Sequence, residues 1–303
     1  LLFTRGLSMA PEEIEVSIII RTKNEEKQLG PVLEKIASQD YRGSYEIIIV
    51  DSGSTDKTAQ IASDSGARFH RLDKEPFSYG YALNYGQRLA YGRIIVFLSA
   101  HCIPEDSTWL RNLIAPFTGG KPAGAVYGKQ LPVKGVNPAE EFELGIFFPT
   151  PDRPPKAVFS NANCAITKTI LQAYPFNEEI VYGEDFLWRK KLPAGIGVIY
   201  APDARVYHSH PGSLRFWATH HAGVGMATAY LQKKEGIDNF YGRKGNLIKQ
   251  VFSRLSFMLF FLNHGYFKAF FTFPALEIIR SVYYLRGLKA GAKKYGGLKT
   301  GQA

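Results

Sequence analysis

The chain has 303 residues with 37 Lys and Arg against 27 Asp and Glu, a net charge of +10, and 45% hydrophobic to 21% charged side chains. That balance excludes a disordered chain and allows one large domain or two ordinary ones around a sizeable core. The positive excess suits an anionic partner: a nucleotide, a phospholipid surface or a nucleic acid. The two cysteines, Cys102 and Cys164, show no metal-like pairing, cannot build a disulfide scaffold, and fit a reducing compartment.

Residues 1–14 read as a tail without the long apolar stretch of a signal peptide. Met9 is a candidate natural start, which makes the first eight residues an expression remnant. Residues 16–20 read as a buried strand, and Leu29, Val32, Leu33 and Ile36 recur at helical spacing within residues 25–38. Residues 47–50 are four apolar residues that run into Asp51 and a Ser/Gly turn, EIIIVDSGSTD. Such a run is a strand buried on both faces, and ligands in open α/β sheets sit at the carboxyl ends of such strands. Thr55 or Asp56 has a structural use as the N-cap of a helix over 57–65; Asp51 has none. A third strand (68–72), a helix (79–90), an apolar strand (94–98) and a helix with an acidic first turn (106–117) follow. This alternation predicts a doubly wound, mostly parallel sheet with helices on both faces.

Residues 119–165 are rich in Gly and Pro, which predicts loops around short strands at 125–130 and 158–160. A helix over 168–173 leads to NEEIVYGEDFLWRKK, and short strands at 197–200 and 204–207 run into the sequence His208-Ser209-His210. A helix is expected over 214–234. Residues 247–285 are aromatic and apolar but are interrupted by Arg254, His264, Lys268 and Pro274, so no charge-free run reaches the roughly 20 residues of a spanning helix. The last eighteen residues hold five basic side chains and no acid. Aromatic amphipathic helices beside a basic tail predict a segment lying on an anionic membrane surface; the alternative is helices packed on the rest of the protein, with the tail solvated. The boundaries are then a tail (1–14), an α/β domain (15–213) and a helical, aromatic and basic region (214–303). No internal repeat is visible.

Polar groups collect at strand ends: Thr22, Lys23, Asn24 and Glu25; Asp51; Ser99, Ala100 and His101; Glu184 and Asp185 at a loop-to-helix junction; and His208 and His210. The succession I-x-R-T-K-N-E-E, I-V-D-S-G-S-T-D, A-L-N-Y-G, F-L-S-A-H-C-I-P, Y-G-K-Q-L-P, S-N-A-N-C-A-I and G-E-D-F-L-W-R resembles the family 2 inverting glycosyltransferases of the GT-A fold. The pieces F-S-Y-G, Y-G-K-Q-L-P and Y-H-S-H are most similar to the rhamnosyltransferase-like branch. The resemblance covers about residues 15–215.

The resemblance implies a nucleotide-sugar donor. Asp51 is suited to accept a hydrogen bond from the imide N–H of uracil or thymine. Thr22, Asn24 and Glu25 would line the same nucleoside pocket, with Asn84, Ser99 and Ala100 part of the donor site. Local turn-making or capping is the alternative for Thr22 and Asn24, and a first-turn acid for Glu25. Most of the family holds a divalent ion, Mn2+ or Mg2+, with D-x-D after the fourth strand; this chain has Ser99-Ala100-His101 there. His101 takes the ligating position and His208 is the expected second ligand. Imidazole favours Mn2+-like or softer ions over Mg2+. A two-histidine site implies weak metal affinity without donor; the alternative is that His101 bonds the diphosphate directly. His210 reads as a structural or surface residue, Cys102 as a buried apolar one, and Arg71 and Arg88 as basic side chains within reach of phosphate.

Inverting transfer needs a carboxylate base at the acceptor hydroxyl. The resemblance gives that role to Asp185, with Glu184 orienting it or touching the acceptor, and puts Trp188 and Arg189 one turn on against a sugar ring. A helix N-terminal acidic pair is the plain alternative. Gln130 and Asn163 become sugar-hydroxyl contacts, and the loop 132–156 a lid over the donor or a wall of the acceptor site. The acceptor is expected to be a lipid-linked sugar or a polysaccharide, at the inner, cytoplasmic face of the cell membrane. Rival readings are a nucleotide-sugar-binding protein that has lost catalysis, given the missing D-x-D, and a nucleic-acid-binding protein, disfavoured because its basic residues cluster in a tail. A dinucleotide-dependent oxidoreductase is disfavoured because no G-x-G-x-x-G follows the first strand.

Overall fold

The computed structural model describes residues 14–72, 77–119, 123–150, 159–210, 213–238, 240 and 247–296. The expected tail up to residue 13, residues 151–156 of the expected lid, Val158 of the expected strand 158–160 and the last seven residues of the basic tail lie outside these. In chain order the elements are β1 (Val16–Thr22), α1 (Leu29–Ala37), β2 (Tyr45–Asp51), α2 (Thr58–Asp64), β3 (Arg68–Arg71), α3 (Tyr79–Leu89), β4 (Ile94–Ser99), β5 (Cys102–Pro104), α4 (Trp109–Ile114), β6 (Ala125–Leu131), α5 (Pro138–Phe147), β7 (Asn163–Thr167), α6 (Lys168–Ala173), α7 (Glu184–Lys191), β8 (Val198–His208), α8 (Leu214–Lys234), α9 (Leu247–Asn263) and α10 (Phe267–Tyr295).

The eight strands form one sheet in the order β3-β2-β1-β4-β7-β6-β8-β5. The half β3-β2-β1-β4 is parallel throughout, with Thr22 level with Asp51 and Arg21 level with Ser99. This register brings three polar strand ends to one rim. Beyond β4 the sheet is mixed: β7 is antiparallel to β4 and β6, β8 runs parallel to β6, and β5 is antiparallel to β8. The two short strands expected at 197–200 and 204–207 are one strand, β8, which shifts register opposite Gly128/Lys129. Residues 159–160 are not strand, and the expected loop 132–156 contains α5, capped by the Asn137 side chain, which accepts from the Ala139 N–H at 2.9 Å. The first helix starts at Leu29, not residue 25, because the segment before it is tied into the β2–α2 loop, as described below.

Two apolar layers cover the sheet. One joins Ile18, Ile20, Ile49 and Val96 to Leu29, Val32, Leu33 and Ile36 of α1 and Trp109 and Leu113 of α4. The other joins Ile19, Ile48, Val50 and Phe97 to Ala82 and Leu83 of α3 and Trp188 of α7. Cys102 and Cys164 are buried and free, and burial pushes both thiols up, so neither is a nucleophile.

The C-terminal helices pack on this unit. Val224, Tyr230 and Leu231 of α8 and Tyr295 of α10 form one cluster with Ile180, Leu187 of α7 and Phe240. Phe261 of α9 and Phe273 of α10 meet Ala139 of α5. Among the described residues, nothing covers one side of α9 and α10, where Leu255, Leu259, Phe267, Phe271, Ile278 and Leu285 are exposed. Among the described residues, no helix is long and apolar enough to cross a membrane.

Candidate active site

The carboxyl ends of β1, β2 and β4, the start of α7 and the end of β8 enclose a cleft of about 510 Å3. That volume is in the range of small-molecule sites.

At the β1–β2 side, Asn24 has φ +55, a left-handed conformation that Asn tolerates better than most residues. Its Oδ1 accepts from the Thr55 N–H at 2.8 Å, and its own N–H donates to Ser54 Oγ at 2.8 Å. The Glu25 N–H donates to Thr58 Oγ1 at 2.7 Å. These bonds clasp the loop after β1 to the loop after β2 and explain the late start of α1. Thr22 lines the cleft, and its buried Oγ1 has no hydrogen-bond partner among the described residues. Asp51 is fully buried; its carboxylate accepts from the N–H groups of Gly53 and Ser54 at 3.2 and 3.0 Å and from the Ser54 hydroxyl. It locks the DSGS turn, and its neighbour Ser52 forms the cleft wall.

Three imidazoles gather on the same cleft. The rings of His101 and His208 stack with centroids 5.1 Å apart, and His210 lies 5.4 and 4.5 Å from them. Each Nδ1–H donates to a side-chain oxygen: His101 to Glu25 at 2.8 Å, His208 to Gln130 at 2.6 Å, and His210 to Glu140 at 2.8 Å. A ring nitrogen from each lies within 4.8 Å of the others. Burial, with the two neighbouring imidazoles, holds His208 well below the usual histidine range. The donor set therefore fits a divalent ion. His210, read from sequence as structural, belongs to this cluster; its signal was the H-x-H spacing, which puts alternate residues of extended chain on one face.

The catalytic candidates head α7. Gly183, with φ +79, turns the chain into the helix, and a Cβ there would lie 2.4 Å from the Phe240 ring. Glu184 is buried and accepts from Asn161 Nδ2 at 2.7 Å; Asn161 Oδ1 accepts from Arg21 Nη2 at 3.2 Å; and the Arg21 guanidinium lies 4.9 Å over Tyr79. Asp185 lies on the cleft wall, one oxygen accepting from the Phe186 N–H at 2.7 Å. Among the described residues, the Lys and Arg side chains of the wall are Arg21 and Lys23. Arg88 instead lies over the Tyr81 and Tyr85 rings, and Arg71 is on β3, outside the cleft wall. Arg21, Asn161 and Tyr182 of the wall were not singled out from sequence.

Of the remaining expected residues, all but Ser99 lie off the cleft wall formed by the described residues. Asn84 is bonded to the Phe176 backbone and Glu178. Asn163 accepts from Trp109 Nε1 and donates to the Ala204 carbonyl. Trp188 is buried between Phe159 and Phe176, its Nε1–H donating to the Tyr174 carbonyl at 2.7 Å. Arg189 is half-buried outside the wall, and Ala100 is buried with its N–H on the Arg21 carbonyl. Gln130 is hydrogen-bonded to His208 and Ser160. Ser99 is on the wall.

A family profile, "Glycosyl transferase family 2", matches residues 17–169, half of the chain. The chain belongs to glycosyl transferase family 2. This family 2 glycosyltransferase is 29% identical over 273 residues to the O-antigen chain rhamnosyltransferase RfbN of Salmonella typhimurium, covering 81% of this chain and 82% of that one. It is 28% identical over 231 residues to the O-antigen chain rhamnosyltransferase WbaN of Salmonella anatum, covering 71% of each. Its fold resembles that of the mannosyltransferase PcManGT from Pyrobaculum calidifontis, solved in complex with GDP-Man and Mn2+, at a TM-score of 0.59 and 20% identity over 91% of this chain and 88% of that one. The fold is GT-A, with a helical C-terminal region.

Proposed function

We propose that this glycosyltransferase is inverting and moves a sugar from a dTDP- or UDP-sugar to a hydroxyl of a lipid-linked or polysaccharide acceptor in cell-envelope polysaccharide synthesis. The observation that carries the reading is the convergence on one cleft of the β1 strand end, the three imidazoles and the acidic start of α7. The similarity to O-antigen rhamnosyltransferases supports the polysaccharide setting and the deoxyhexose donor.

The reaction is an in-line displacement. The acceptor oxygen attacks the anomeric carbon as the bond from that carbon to the diphosphate oxygen breaks. The diphosphate leaves with the electron pair, and Asp185 takes the acceptor's hydroxyl proton. Glu184, fixed through Asn161 to Arg21, orients this end of the cleft. Arg21 and Lys23 face the charge that builds on the leaving group. A divalent ion held by His101 and His208 would supply further neutralisation there. Thr22, Ser52 and Asn24 receive the nucleoside; Asp51 holds their loop and can meet the base only if its turn bonds open.

The exposed apolar side of α9 and α10, with Lys268, Arg286, Lys289, Lys293 and Lys294 exposed beside it, supports a peripheral position on an anionic inner membrane face.

A donor panel read by thermal shift, followed by transfer assays on parent and Asp185→Asn, tests the reading. The variant should lose about 10²–10⁴-fold in turnover while binding nucleotide as before. Turnover retained in the variant removes Asp185 as the base. The replacement of D-x-D by Ser99-Ala100-His101 favours a second reading, a nucleotide-sugar-binding protein without catalysis; binding with no sugar transfer by the parent to any acceptor extract would establish it.

A further inference from the structure

We propose that His210 is a third metal ligand, so that His101, His208 and His210 form a three-imidazole site that binds Zn2+ or Co2+ without donor and discriminates against Mg2+. The proposal rests on reading this cleft as the diphosphate end of a donor site, but metal binding is measured without donor, so the two readings fail separately.

Three observations carry it. First, the histidines converge from two places in the fold: His101 follows β4, while His208 ends β8 and His210 lies two residues further on. A ring nitrogen of each already lies within 4.8 Å of the others. Bonds of 2.0–2.1 Å to one ion need these nitrogens roughly 3.0–3.4 Å apart, so the site as proposed closes on the ion when it binds. Second, all three Nδ1 atoms are committed to oxygens from three different segments: Glu25 after β1, Gln130 on β6 and Glu140 on α5. This fixes the same tautomer in each ring and leaves each Nε2 as the ligand atom, the arrangement that partners of metal-bound histidines impose. Third, the partners are themselves held. Gln130 donates to Ser160 Oγ at 2.9 Å, and buried Glu140 also accepts from the His210 backbone N–H at 3.1 Å. Two carboxylates, Glu25 and Glu140, stand behind the rings to balance a divalent charge.

Three imidazole nitrogens are a poor set for Mg2+, which takes oxygen ligands and keeps its waters. They suit Co2+ and Zn2+, with Mn2+ below both in affinity. Three protein ligands also leave positions open for oxygens, as in catalytic rather than structural sites. A purely structural His210 would instead serve the stack on Phe216, whose ring is 4.9 Å away and nearly parallel.

The test uses the full chain, without a polyhistidine tag and stripped with chelator. Co2+ is titrated by its visible d–d absorption, Zn2+ by competition with a chromophoric chelator, and Mg2+ by displacement of Co2+. The expected result is one Co2+ per chain with a tetrahedral-type band, micromolar or tighter Zn2+, and no displacement by millimolar Mg2+. His210→Ala should weaken Co2+ at least about 10-fold and change the band, and Glu140→Gln should weaken it about 10–100-fold without moving the band. His210→Phe, which keeps a ring on Phe216 but has no ligand atom, should behave as His210→Ala. Parent-like affinity and spectrum in either His210 variant would overturn the third ligand. Failure of the parent to bind Co2+ or Zn2+ without donor, or displacement by Mg2+, would overturn the site as proposed.

Discussion

Arg21 is the residue whose role the sequence hid most completely. It sits in the middle of a strand-end motif and reads as a flank, yet its guanidinium reaches Asn161, lies over Tyr79, and is one of two basic side chains on the described cleft wall. If it stabilises the leaving diphosphate, Arg21→Ala should lower turnover about 10²–10³-fold, the cost of removing one donor aimed at developing charge. Arg21→Lys should recover only part of this, because a point charge cannot replace the planar fork. Steady-state transfer with a parallel nucleotide-binding titration checks both, and an equal loss in Asn161→Ala would instead assign Arg21 to positioning Glu184. Asp51 is the converse case: its place at the end of β2 was legible, but its bonds to Gly53 and Ser54 were not, because a turn closed by a carboxylate and an open ligand site share the same letters. Trp188 and Asn163 misled in the same way. Both sit in polar-looking motifs, and both spend their hydrogen bonds inside the protein. Gly183 precedes the acidic pair in the motif G-E-D-F-L-W-R. Its positive φ and the Phe240 ring make it a steric requirement, so Gly183→Ala should cost about 1–3 kcal/mol in a denaturant melt and displace Asp185 with it.

Among the elements, those buried on both faces announced themselves. β1, β2 and β4 carry runs of Ile, Val and Leu that no helix of the same length would need, and their parallel register follows from the helices between them. β8 was split in two because its burial alternates irregularly and Pro202 and Asp203 interrupt its pattern; the register shift opposite Gly128/Lys129 absorbs the interruption. The antiparallel β7 was hidden in a polar motif, SNANCAI, since tertiary pairing rather than propensity makes it a strand. The pairing of α8 with α10 was also invisible, because it depends on glycines that look like helix defects. A Cβ on Gly225 would lie 2.1 Å from the Tyr284 carbonyl oxygen, and one on Gly287 2.0 Å from that of Ala222. The two backbones touch there. Gly287→Val should separate them and cost about 1–3 kcal/mol, seen as a lower melting temperature. Tyr295 and Phe240 share a cluster with Leu187 of α7, so the loss should extend to nucleotide-dependent stabilisation. An unchanged melt would mean that the helices are held elsewhere.

For the whole molecule, the C-terminal region has two unlike sides. The inner side of α8, α9 and α10 packs on α5 and α7, as a plain helical appendage would. On the outer side, Phe267, Phe271, Ile278, Val282 and Leu285 of α10 recur at spacings that keep them on one stripe, beside Leu255, Leu259 and Leu262 of α9. Phe271 is 76% exposed and Ile278 66%, which is costly for residues with no structural duty. Burying one such side chain is worth about 1.5–3 kcal/mol, and each nearby Lys or Arg adds about 1 kcal/mol at an anionic surface. On the proposed membrane contact, three inserted side chains with the exposed basic residues of α10 would give reversible binding. Flotation with vesicles containing anionic phospholipid should recover the parent chain, and raised salt should release part of it. The triple variant Phe271→Ser, Ile278→Ser, Leu285→Ser should stay with the soluble fraction while transferring sugar to a short water-soluble acceptor at the parent rate, because none of the three lines the cleft. Vesicles of neutral lipid should bind the parent weakly, which separates the charge contribution from the apolar one. If the variant floats like the parent but runs as a smaller species in size-exclusion chromatography, the stripe is covered by a second copy of the chain instead of lipid.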